Sequence, residues 1–417
     1  MAVKSASSRK KSVKKAAQKS VLKKTEKAGG QRSAASKQPA AHKDDFFKSK
    51  ALLLQGGGAL GAYQAGVYAA LAEADVLPNW VAGISIGAIN GAIIAGNRPE
   101  RRVEKLRGFW QQISALPPWN TLGLFNSMID KGGDKARRFW NQVSAMSALT
   151  VGAPGFFFPR PLPPQLAPEG SRAAASYYDT APLKATLETF IDFDILNSGE
   201  TRYTTSAVNI ESGNYVIFDS QKQRILPEHV MASGALPPAL PTVEIDGQHY
   251  WDGGLISNTP LQWVMDDKPE DTLVFQVDLW PAQGDYPRNM LEVATRQKEI
   301  QYSSRTRFIT SRFHHAQKMR HAFAELYDML PDNLKHSARA RTLHEFADLN
   351  QYHIVHLIYH AKSYEGYSKD FEFSRTTMDD HWKAGLYDTR RSLSHKEIFC
   401  KPANPAGIQM FDFCTSK

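Results

Sequence analysis

The pentapeptide Gly83-Ile84-Ser85-Ile86-Gly87 constrains the fold most strongly, because this pattern is typical of a sharp turn between a strand and a helix. Residues 79–82 predict a short buried strand before it, and the small and apolar residues 88–95 predict a tightly packed helix after it. A serine on such a turn has a strained backbone, so glycines must flank it. The turn directs the Ser85 hydroxyl out of the sheet, near helix N-terminal amides that favour negative charge. By itself the pattern is weak evidence for a catalytic serine, since small residues also cluster where a strand and a helix pack closely.

A glycine run, Gly56-Gly57-Gly58-Ala59-Leu60-Gly61, follows the apolar residues 51–54 and opens the helical stretch 59–74. Consecutive glycines at a helix start leave backbone N–H groups uncovered, where they can bind a phosphate or an oxyanion. No lysine follows the run, which argues against a Walker A loop. The run also matches the dinucleotide string G-x-G-x-x-G, with Glu73 or Asp75 as its acidic partner. An oxyanion hole explains the same glycines and also uses Ser85, so we favour it.

The segment Tyr250-Trp251-Asp252-Gly253-Gly254 follows the strand-like residues 242–245. Taken alone, its Asp-Gly-Gly predicts a hairpin turn. Together with a serine turn and an oxyanion loop, Asp252 is the candidate base that would accept the Ser85 proton. His249 is an alternative base, but residues three apart on a strand face opposite sides, which predicts that His249 points away from the site.

In this order, the three segments resemble the patatin-like phospholipase family. The resemblance covers roughly residues 50–280 and includes Ala232-Ser233-Gly234-Ala235-Leu236-Pro237-Pro238, with secondary matches at 207–209 and 218–219. One position departs from the family pattern. The family usually carries a basic residue before the last glycine of its first motif, and Leu60 stands there in this chain.

The resemblance implies a hydrolase of lipid carboxylic esters that uses a Ser–Asp dyad rather than a triad, and a three-layer α/β/α fold around a mostly parallel sheet. Carried over to this chain, the dyad is Ser85 and Asp252. The oxyanion hole would be formed by Gly56, Gly57, Gly58 and Ile86, and the motifs would be supported by Gly83, Gly87, Gly253 and Gly254. We expect no cofactor and no metal. The histidines at 314, 315 and 321 lack metal-ligand spacing with acidic companions.

Length and cysteine usage narrow the class of protein. A chain of 417 residues is long enough for one large α/β domain with appendages. No apolar stretch has the length of a transmembrane helix, so none is expected. Only Cys400 and Cys414 occur, which does not indicate a disulfide framework and favours a reducing, cytoplasmic location, either free or peripheral to a membrane or to a lipid or polyester granule.

The positive charge is concentrated in the first fifty residues. Residues 1–50 contain 15 lysines and arginines and 3 acidic residues, a net charge of +12, whereas the remaining residues carry −3. Alanine, serine and lysine dominate residues 1–49, so we expect a disordered basic tail. One interpretation is a solvated extension without a specific role. The other is peripheral contact of residues 1–50 with an anionic membrane or a polyester granule, and nucleic acid is a further, less supported partner.

We expect residues 50–284 to form the catalytic domain and residues 285–417 to form a C-terminal region that is mainly helical. Between 116 and 176 the apolar periodicity breaks down, which predicts a Pro/Phe-rich insertion without regular structure. Its Phe156-Phe157-Phe158 would form a lid or acyl-chain platform over Ser85, or an aromatic plug over the core. Helices are predicted at 99–114, 179–190, 227–234, 376–392 and from 289 onward, and strands at 201–210, 214–219, 272–279 and 352–359.

The leading hypothesis is therefore a lipid acyl hydrolase of the phospholipase A kind. Two alternatives stay open. The same dyad could hydrolyse hydroxyalkanoate esters at storage granules, or the chain could be a tail-driven polyanion- or membrane-binding protein with an inactive hydrolase body.

Overall fold

The computed structural model describes residues 45–114, 124–267, 270–404 and 407–413. All of them belong to one compact unit that spans Ala41–Lys417. Nearly all of the predicted disordered tail lies outside the described residues, as does Cys414.

A nine-stranded sheet forms the centre of the described structure. Its strands are β1 (Ser49–Leu54), β2 (Trp80–Gly83), β5 (Arg202–Asn209), β6 (Tyr215–Asp219), β7 (Val243–Ile245), β8 (Gln248–Asp252), β9 (Thr272–Asp278), β10 (Tyr352–Ile358) and β11 (Ile408–Asp412). A separate two-stranded ribbon pairs β3 (Phe158–Pro159) with β4 (Tyr178–Asp179). Across the main sheet the order is β11, β10, β9, β1, β2, β5, β8 and β7, and β6 pairs with β5 outside this path.

The six strands from β11 to β5 are parallel, and the pairs that β5 forms with β6 and β8 and that β7 forms with β8 are antiparallel. Because β9, β1 and β2 are adjacent and parallel, the loops after them leave the same edge of the sheet. In open α/β sheets, ligands bind in the crevice at this carboxyl edge. The glycine run follows β1 and Ser85 follows β2, so the sheet brings them to one place.

Helices cover both faces of the sheet. They are α1 (Ala62–Glu73), α2 (Ile86–Ala95), α3 (Pro99–Ile113), α4 (Leu124–Val151), α5 (Ala181–Phe190), α6 (Phe193–Leu196), α7 (Pro227–Ser233), α8 (Leu261–Asp267), α9 (Met290–Asp328), α10 (Asp332–Lys335), α11 (Ala338–Phe346) and α12 (Arg375–Leu393). Short 3₁₀ turns occupy Gly58–Gly61, Pro164–Leu166, Gly253–Leu255 and Lys396–Phe399.

Side chains of β1 point alternately to the two faces of the sheet, and each face needs a layer of helices to cover it. Leu52 and Leu54 pack into a core with α1, α2, α3 and α12, whereas Ala51 and Leu53 pack into a second core with α8 and Phe313 of α9. A strand that is buried on both faces reads as a continuous apolar run. The predicted three-layer α/β/α architecture with a mostly parallel sheet is confirmed.

The sheet continues across the expected boundary at 284/285. Strands β10 and β11 of the C-terminal region extend it beyond β9, and α12 crosses α1 closely. A Cβ atom at Gly66 would lie 2.0 Å from the Trp382 carbonyl oxygen, and one at Gly385 would lie 2.0 Å from that of Tyr63. Glycines at this crossing allow the two helix backbones to touch. The C-terminal region, although mainly helical, is thus built into the same sheet and core.

The expectation of irregular structure throughout 116–176 was wrong. Helix α4 occupies Leu124–Val151, with a kink at Gly133, where φ is 64°. The other predicted helices and strands are confirmed to within a few residues, except that the stretch 59–74 starts with a 3₁₀ turn. Among the described residues no helix is both long enough and apolar enough to cross a membrane.

Candidate active site

The turn between β2 and α2 presents Ser85 at the carboxyl edge of the sheet. Ser85 has a φ of 58°, a conformation that costs a non-glycine residue about 1–3 kcal/mol unless the surroundings enforce it. They do so here. A Cβ atom at Gly83 would lie 2.1 Å from the Gly87 carbonyl oxygen, and one at Gly87 would lie 2.3 Å from the Leu54 carbonyl oxygen. No side chain fits at either position, so the turn requires both glycines.

The turn is also held from α7. The backbone N–H of Ser85 donates a hydrogen bond of 3.0 Å to the hydroxyl of Ser233, which is fully buried. Ser233 lies in the segment that carried part of the family resemblance, but its local sequence did not predict this contact.

Asp252, the last residue of β8, approaches Ser85 from a strand that β5 separates from β2. Strand β8 pairs with β5, and Asp252 lies opposite Ala207. Its N–H donates to the Ala235 carbonyl oxygen at 3.0 Å, and its Oδ1 accepts the Gly254 N–H at 2.7 Å. Ser85 and Asp252 line the same cavity, and Ser85 is one of the groups that stabilise the charged form of this carboxylate. The structure thus brings together the two side chains predicted for a dyad.

Gly253 and Gly254, the two residues after Asp252, are each required for a different steric reason. A Cβ atom at Gly253 would lie 2.5 Å from the Ser206 hydroxyl oxygen and 2.7 Å from the Ser206 carbonyl oxygen. A Cβ atom at Gly254 would lie 3.0 Å from Oδ1 of Asp252, so it would crowd the carboxylate that its own N–H binds. This pair of glycines therefore lets the chain turn directly under the carboxylate.

Burial sets the acidity of Asp252. The side chain is 2% exposed, and this burial raises the pKa of the carboxyl to about 7, against the opposing effects of Ser85 and of the hydrogen bond from the Gly254 N–H. A carboxyl whose pKa is close to neutral is a much stronger base than an exposed aspartate, whose pKa is near 4.

The glycine run forms the wall beside Ser85. Gly58 has a φ of 55°, and a Cβ atom there would lie 2.1 Å from the carbonyl oxygen of Asp370. In the part of the chain that the structure describes, the N–H groups of Gly57, Gly58 and Ile86 have no protein acceptor. All three residues line one cavity with Ser85, as does Gly56. Free amide donors in such a cavity can bind a negatively charged oxygen.

Three residues distant in sequence hold the glycine run. The Gly56 carbonyl oxygen accepts hydrogen bonds from the Asn258 side chain at 3.1 Å and from Nε1 of Trp280 at 2.9 Å. The Ala59 N–H donates to the Asp370 carbonyl oxygen at 2.8 Å. The sequence analysis assigned no role to these residues, because no local pattern marks a contact made across two hundred positions or more.

A buried chain of side chains joins the glycine run to the serine turn. Nε1 of Trp110 donates to Asn90 Oδ1 at 2.9 Å, and Asn90 donates to Gln64 Oε1 at 2.9 Å. Gln64 in turn donates to the Gln55 carbonyl oxygen at 2.6 Å. Asn90 lies on α2 behind Ser85, and Gln64 lies on α1 behind the glycines. Because buried polar groups are costly unless they are paired, this chain fixes the separation of α1 and α2.

The cavity that contains Ser85 and Asp252 has a volume of about 280 Å³ and mainly apolar walls. Phe156 and Phe157 of the Pro/Phe-rich segment form one wall and contact Phe373, with ring centroids 6.1 and 6.0 Å apart. Phe158 lies outside the cavity and is 41% exposed. A larger groove of about 810 Å³ adjoins the cavity and shares Leu149 and Phe371 with it.

No histidine lies among the described residues that line the cavity. His249 lies on β8 but does not line it, in agreement with the strand geometry. His314 and His315 line a different cavity beyond Trp280. Within the described ranges, no three histidine, cysteine or acidic side chains are arranged to hold a metal ion.

Two models of protein families match the chain. A family model described as "Patatin-like phospholipase" matches residues 52–265, about half of the chain, and one described as "Patatin phospholipase" matches residues 300–404. The crystal structure of VipD from Legionella pneumophila is similar at 12% sequence identity and a TM-score of 0.32, and the match covers 81% of this chain and 66% of the VipD chain. No curated protein was found to match the chain.

Proposed function

The chain belongs to the patatin-like phospholipase family and is a lipid acyl hydrolase, and we propose that it cleaves its ester through a dyad of Ser85 and Asp252 beside an oxyanion hole. The observation that carries the proposal is that Ser85 shares one cavity with the buried Asp252, a carboxyl whose pKa burial raises to about 7. That arrangement supplies a nucleophile and a matched base in one place.

The first half of the reaction transfers the acyl group to the enzyme. Oγ of Ser85 attacks the carbonyl carbon of the ester while Asp252 accepts the hydroxyl proton. The carbonyl oxygen becomes an oxyanion, which the N–H groups of Gly57, Gly58 and Ile86 bind, with Gly56 shaping the loop. The tetrahedral intermediate collapses, the bond to the leaving oxygen breaks, and Asp252 returns the proton to the departing alcohol.

In the second half, a water molecule loses a proton to Asp252 and attacks the acyl-enzyme. The second oxyanion occupies the same hole, and its collapse releases the carboxylic acid and restores the Ser85 hydroxyl. Removing one donor from an oxyanion hole typically lowers turnover by about 10²–10³-fold. The backbone amides are thus a large part of the proposed mechanism.

The cavity walls support an acyl chain as the group that enters. Phe156, Phe157 and Phe373 form an apolar surface next to Ser85, so we propose that the Pro/Phe-rich segment is the acyl-chain platform rather than a plug. The adjoining groove would hold the rest of the lipid, since a cavity of about 280 Å³ is too small for a whole diacyl lipid. Contact of the tail with an anionic membrane or a granule, and a cytoplasmic location, are further proposals that rest on composition alone.

Two substitutions test the dyad. A fluorophosphonate probe should label the wild-type protein, and Ser85→Ala should remove both the label and the hydrolysis of a short soluble ester. Asp252→Asn should lower turnover at least about 10³-fold while the protein remains folded. Asp246→Asn is the matched control, because Asp246 is exposed on the turn between β7 and β8 and should retain full turnover. Equal labelling of wild type and Ser85→Ala would contradict the serine mechanism, and full activity in Asp252→Asn would require another base.

Product profiling then separates the substrate classes. Purified protein is given phospholipid vesicles or hydroxyalkanoate oligomers, with Ser85→Ala as the blank, and released acids are measured by mass spectrometry. We expect fatty acid from the vesicles. Release from the oligomers alone would favour the storage-polyester alternative.

A further inference from the structure

The segment 366–373, of which the proposed function uses only Phe373 as a wall of the cavity, lies directly against the glycine run. Its Asp370 carbonyl oxygen accepts the Ala59 N–H at 2.8 Å and is the atom that a Cβ at Gly58 would meet at 2.1 Å. Asp370, Phe371 and Phe373 also line the cavity with Ser85. The position of this segment therefore determines how the glycine run can lie.

Lys298 of α9 holds the segment in place. Its ammonium lies 2.7 Å from Oδ1 and 2.6 Å from Oδ2 of the Asp370 carboxylate. The same ammonium lies 4.5 Å from the ring centroid of Tyr367 and 5.4 Å from that of Phe371. One cation thus contacts three residues of the segment, by an ion pair and by two cation–π interactions.

A second contact of Lys298 leads to the other end of the glycine run. Its ammonium lies 5.8 Å from the ring centroid of Trp280, whose Nε1–H is bonded to the Gly56 carbonyl oxygen. Trp280 is stacked on Tyr302, with ring centroids 5.0 Å apart. The Lys369 ammonium lies 5.3 Å from the centroid of the Trp280 ring and forms an ion pair with Glu299 at 2.6 Å. Both ends of the run are therefore tied to a single cluster of α9 and the segment 366–373.

Burial makes the ion pair important. The Lys298 and Asp370 side chains are only 18% and 20% exposed. Burial raises the pKa of the Asp370 carboxyl, and the Lys298 ammonium opposes that rise. Exposed ion pairs contribute little, but removing one partner of a buried pair leaves an uncompensated charge. Leu60, where the family usually carries a basic residue, is fully buried in the apolar core and supplies no charge to the loop.

We propose that Lys298 is a positioning residue for the oxyanion hole: by fixing Asp370 and Trp280 it holds the glycine run at the distance from Ser85 that catalysis requires. The inference rests on the proposed function of that cavity. It also gives the C-terminal region a role in catalysis, since Lys298 and Asp370 both lie beyond the part of the chain that carries Ser85 and Asp252.

The first test compares Lys298→Met with Lys298→Arg. Displacing catalytic groups by about 1 Å typically costs on the order of 10²-fold, so Lys298→Met should lower kcat on a soluble ester about 10- to 100-fold and leave KM within about threefold. Lys298→Arg keeps the charge and should recover most of the loss. Lys335→Met, which breaks the pair of Lys335 with the fully exposed Asp332, should behave as wild type.

The second test does not depend on activity. Amide hydrogen exchange, followed by mass spectrometry, should be at least about tenfold faster in peptides that cover 56–61 in Lys298→Met, while β1 and β10 stay protected as in wild type. Unchanged exchange at 56–61 together with a kcat within twofold of wild type would overturn the proposal. A uniform rise over the whole chain would also overturn it, because Lys298 would then act on overall stability. If the wild type neither hydrolysed esters nor reacted with the probe, the proposed function would fail, and the exchange result would still decide whether Lys298 holds the loop.

Discussion

The serine turn and the glycine run face the same cavity, but different parts of the chain shape them. The serine turn is shaped mainly by its own glycines and by the adjacent strand, through contacts of Gly83 and Gly87 with nearby backbone. The glycine run is shaped by residues two hundred or more positions away, among them Trp280 and Asp370. The comparison teaches that the position of the proposed nucleophile depends mainly on local sterics, whereas the position of the glycine run, the proposed oxyanion hole, depends on contacts with distant parts of the chain.

Substituting Gly87 should disrupt the serine turn, and we expect it to have the largest effect on both stability and activity. In Gly87→Ala the new Cβ would lie 2.3 Å from a backbone oxygen of β1, which cannot move without disturbing the sheet. We expect a loss of at least about 3 kcal/mol in the free energy of unfolding and esterase activity as low as in Ser85→Ala. Gly213→Ala is the control: its φ is 69°, but its Cβ would meet nothing within 4 Å, so it should cost only about 1–2 kcal/mol. Urea unfolding and ester hydrolysis give both quantities, and similar losses in the two variants would contradict the steric argument.

Removing the hydrogen bond between Trp280 and Gly56 should test the support of the glycine run, and we expect an intermediate effect on activity. Trp280→Phe keeps an aromatic ring but loses the donor to the Gly56 carbonyl, so we expect kcat to fall about 10- to 100-fold. Trp80→Phe is a matched control, since it loses a hydrogen bond of the same 2.9 Å length, to Thr204, away from the cavity. Steady-state kinetics on a soluble ester should separate the two variants. Equal kcat values in both would mean that the loop does not need its remote support.

A pH profile should separate the contribution of the base from that of the glycine run. Because Asp252 must be unprotonated to act as a base and its pKa is about 7, kcat/KM should fall about tenfold for each pH unit below 7 and level off above it. Trp280→Phe should lower the whole profile without moving its midpoint, because Trp280 does not contact the carboxylate. A shifted midpoint in that variant would show that the loop and the base are coupled.

The same carboxyl should affect stability with a defined sign. Between its ordinary pKa of 3.8 and about 7, the unfolded chain releases the Asp252 proton and the folded chain retains it. The contribution to folding is therefore most favourable below pH 4, declines by about 1.4 kcal/mol per pH unit as the pH rises, and stays constant above 7. Asp252→Asn should consequently be more stable than wild type at pH 8 and equal to it at pH 4, which thermal unfolding at the two pH values can measure.

Much of the site could be predicted because its signals are local. Ser85 needs two glycines within four positions, and the strand before it and the helix after it are marked by short apolar runs. The glycine run after β1 and the serine turn after β2 meet because these two strands are parallel neighbours in the sheet. This arrangement is a consequence of the fold class. Asp252 can be predicted only in combination with the serine turn and the glycine run, since Asp-Gly-Gly alone is more typical of a hairpin.

Helix α4 escaped prediction because its pattern is inverted. The side that faces the protein after the kink carries Arg137 and Asn141, which are buried, and Arg137 is paired with Asp380 at 2.8 Å. The opposite side exposes Phe139 and Met146, at 68% and 60%. Periodicity predicts a helix from an apolar stripe that faces the core, so a helix with buried polar and exposed apolar residues gives no such signal.

The central position of β9, with β1 on one side and β10 on the other, has a consequence for biosynthesis. Translation delivers the serine turn before the residues that brace the glycine run, which follow at Asn258, Trp280, Lys298 and finally Asp370. We therefore expect a nascent chain that has not yet released residues 366–373 to carry the proposed nucleophile without a complete oxyanion hole, and to gain ester hydrolysis only after that segment has folded.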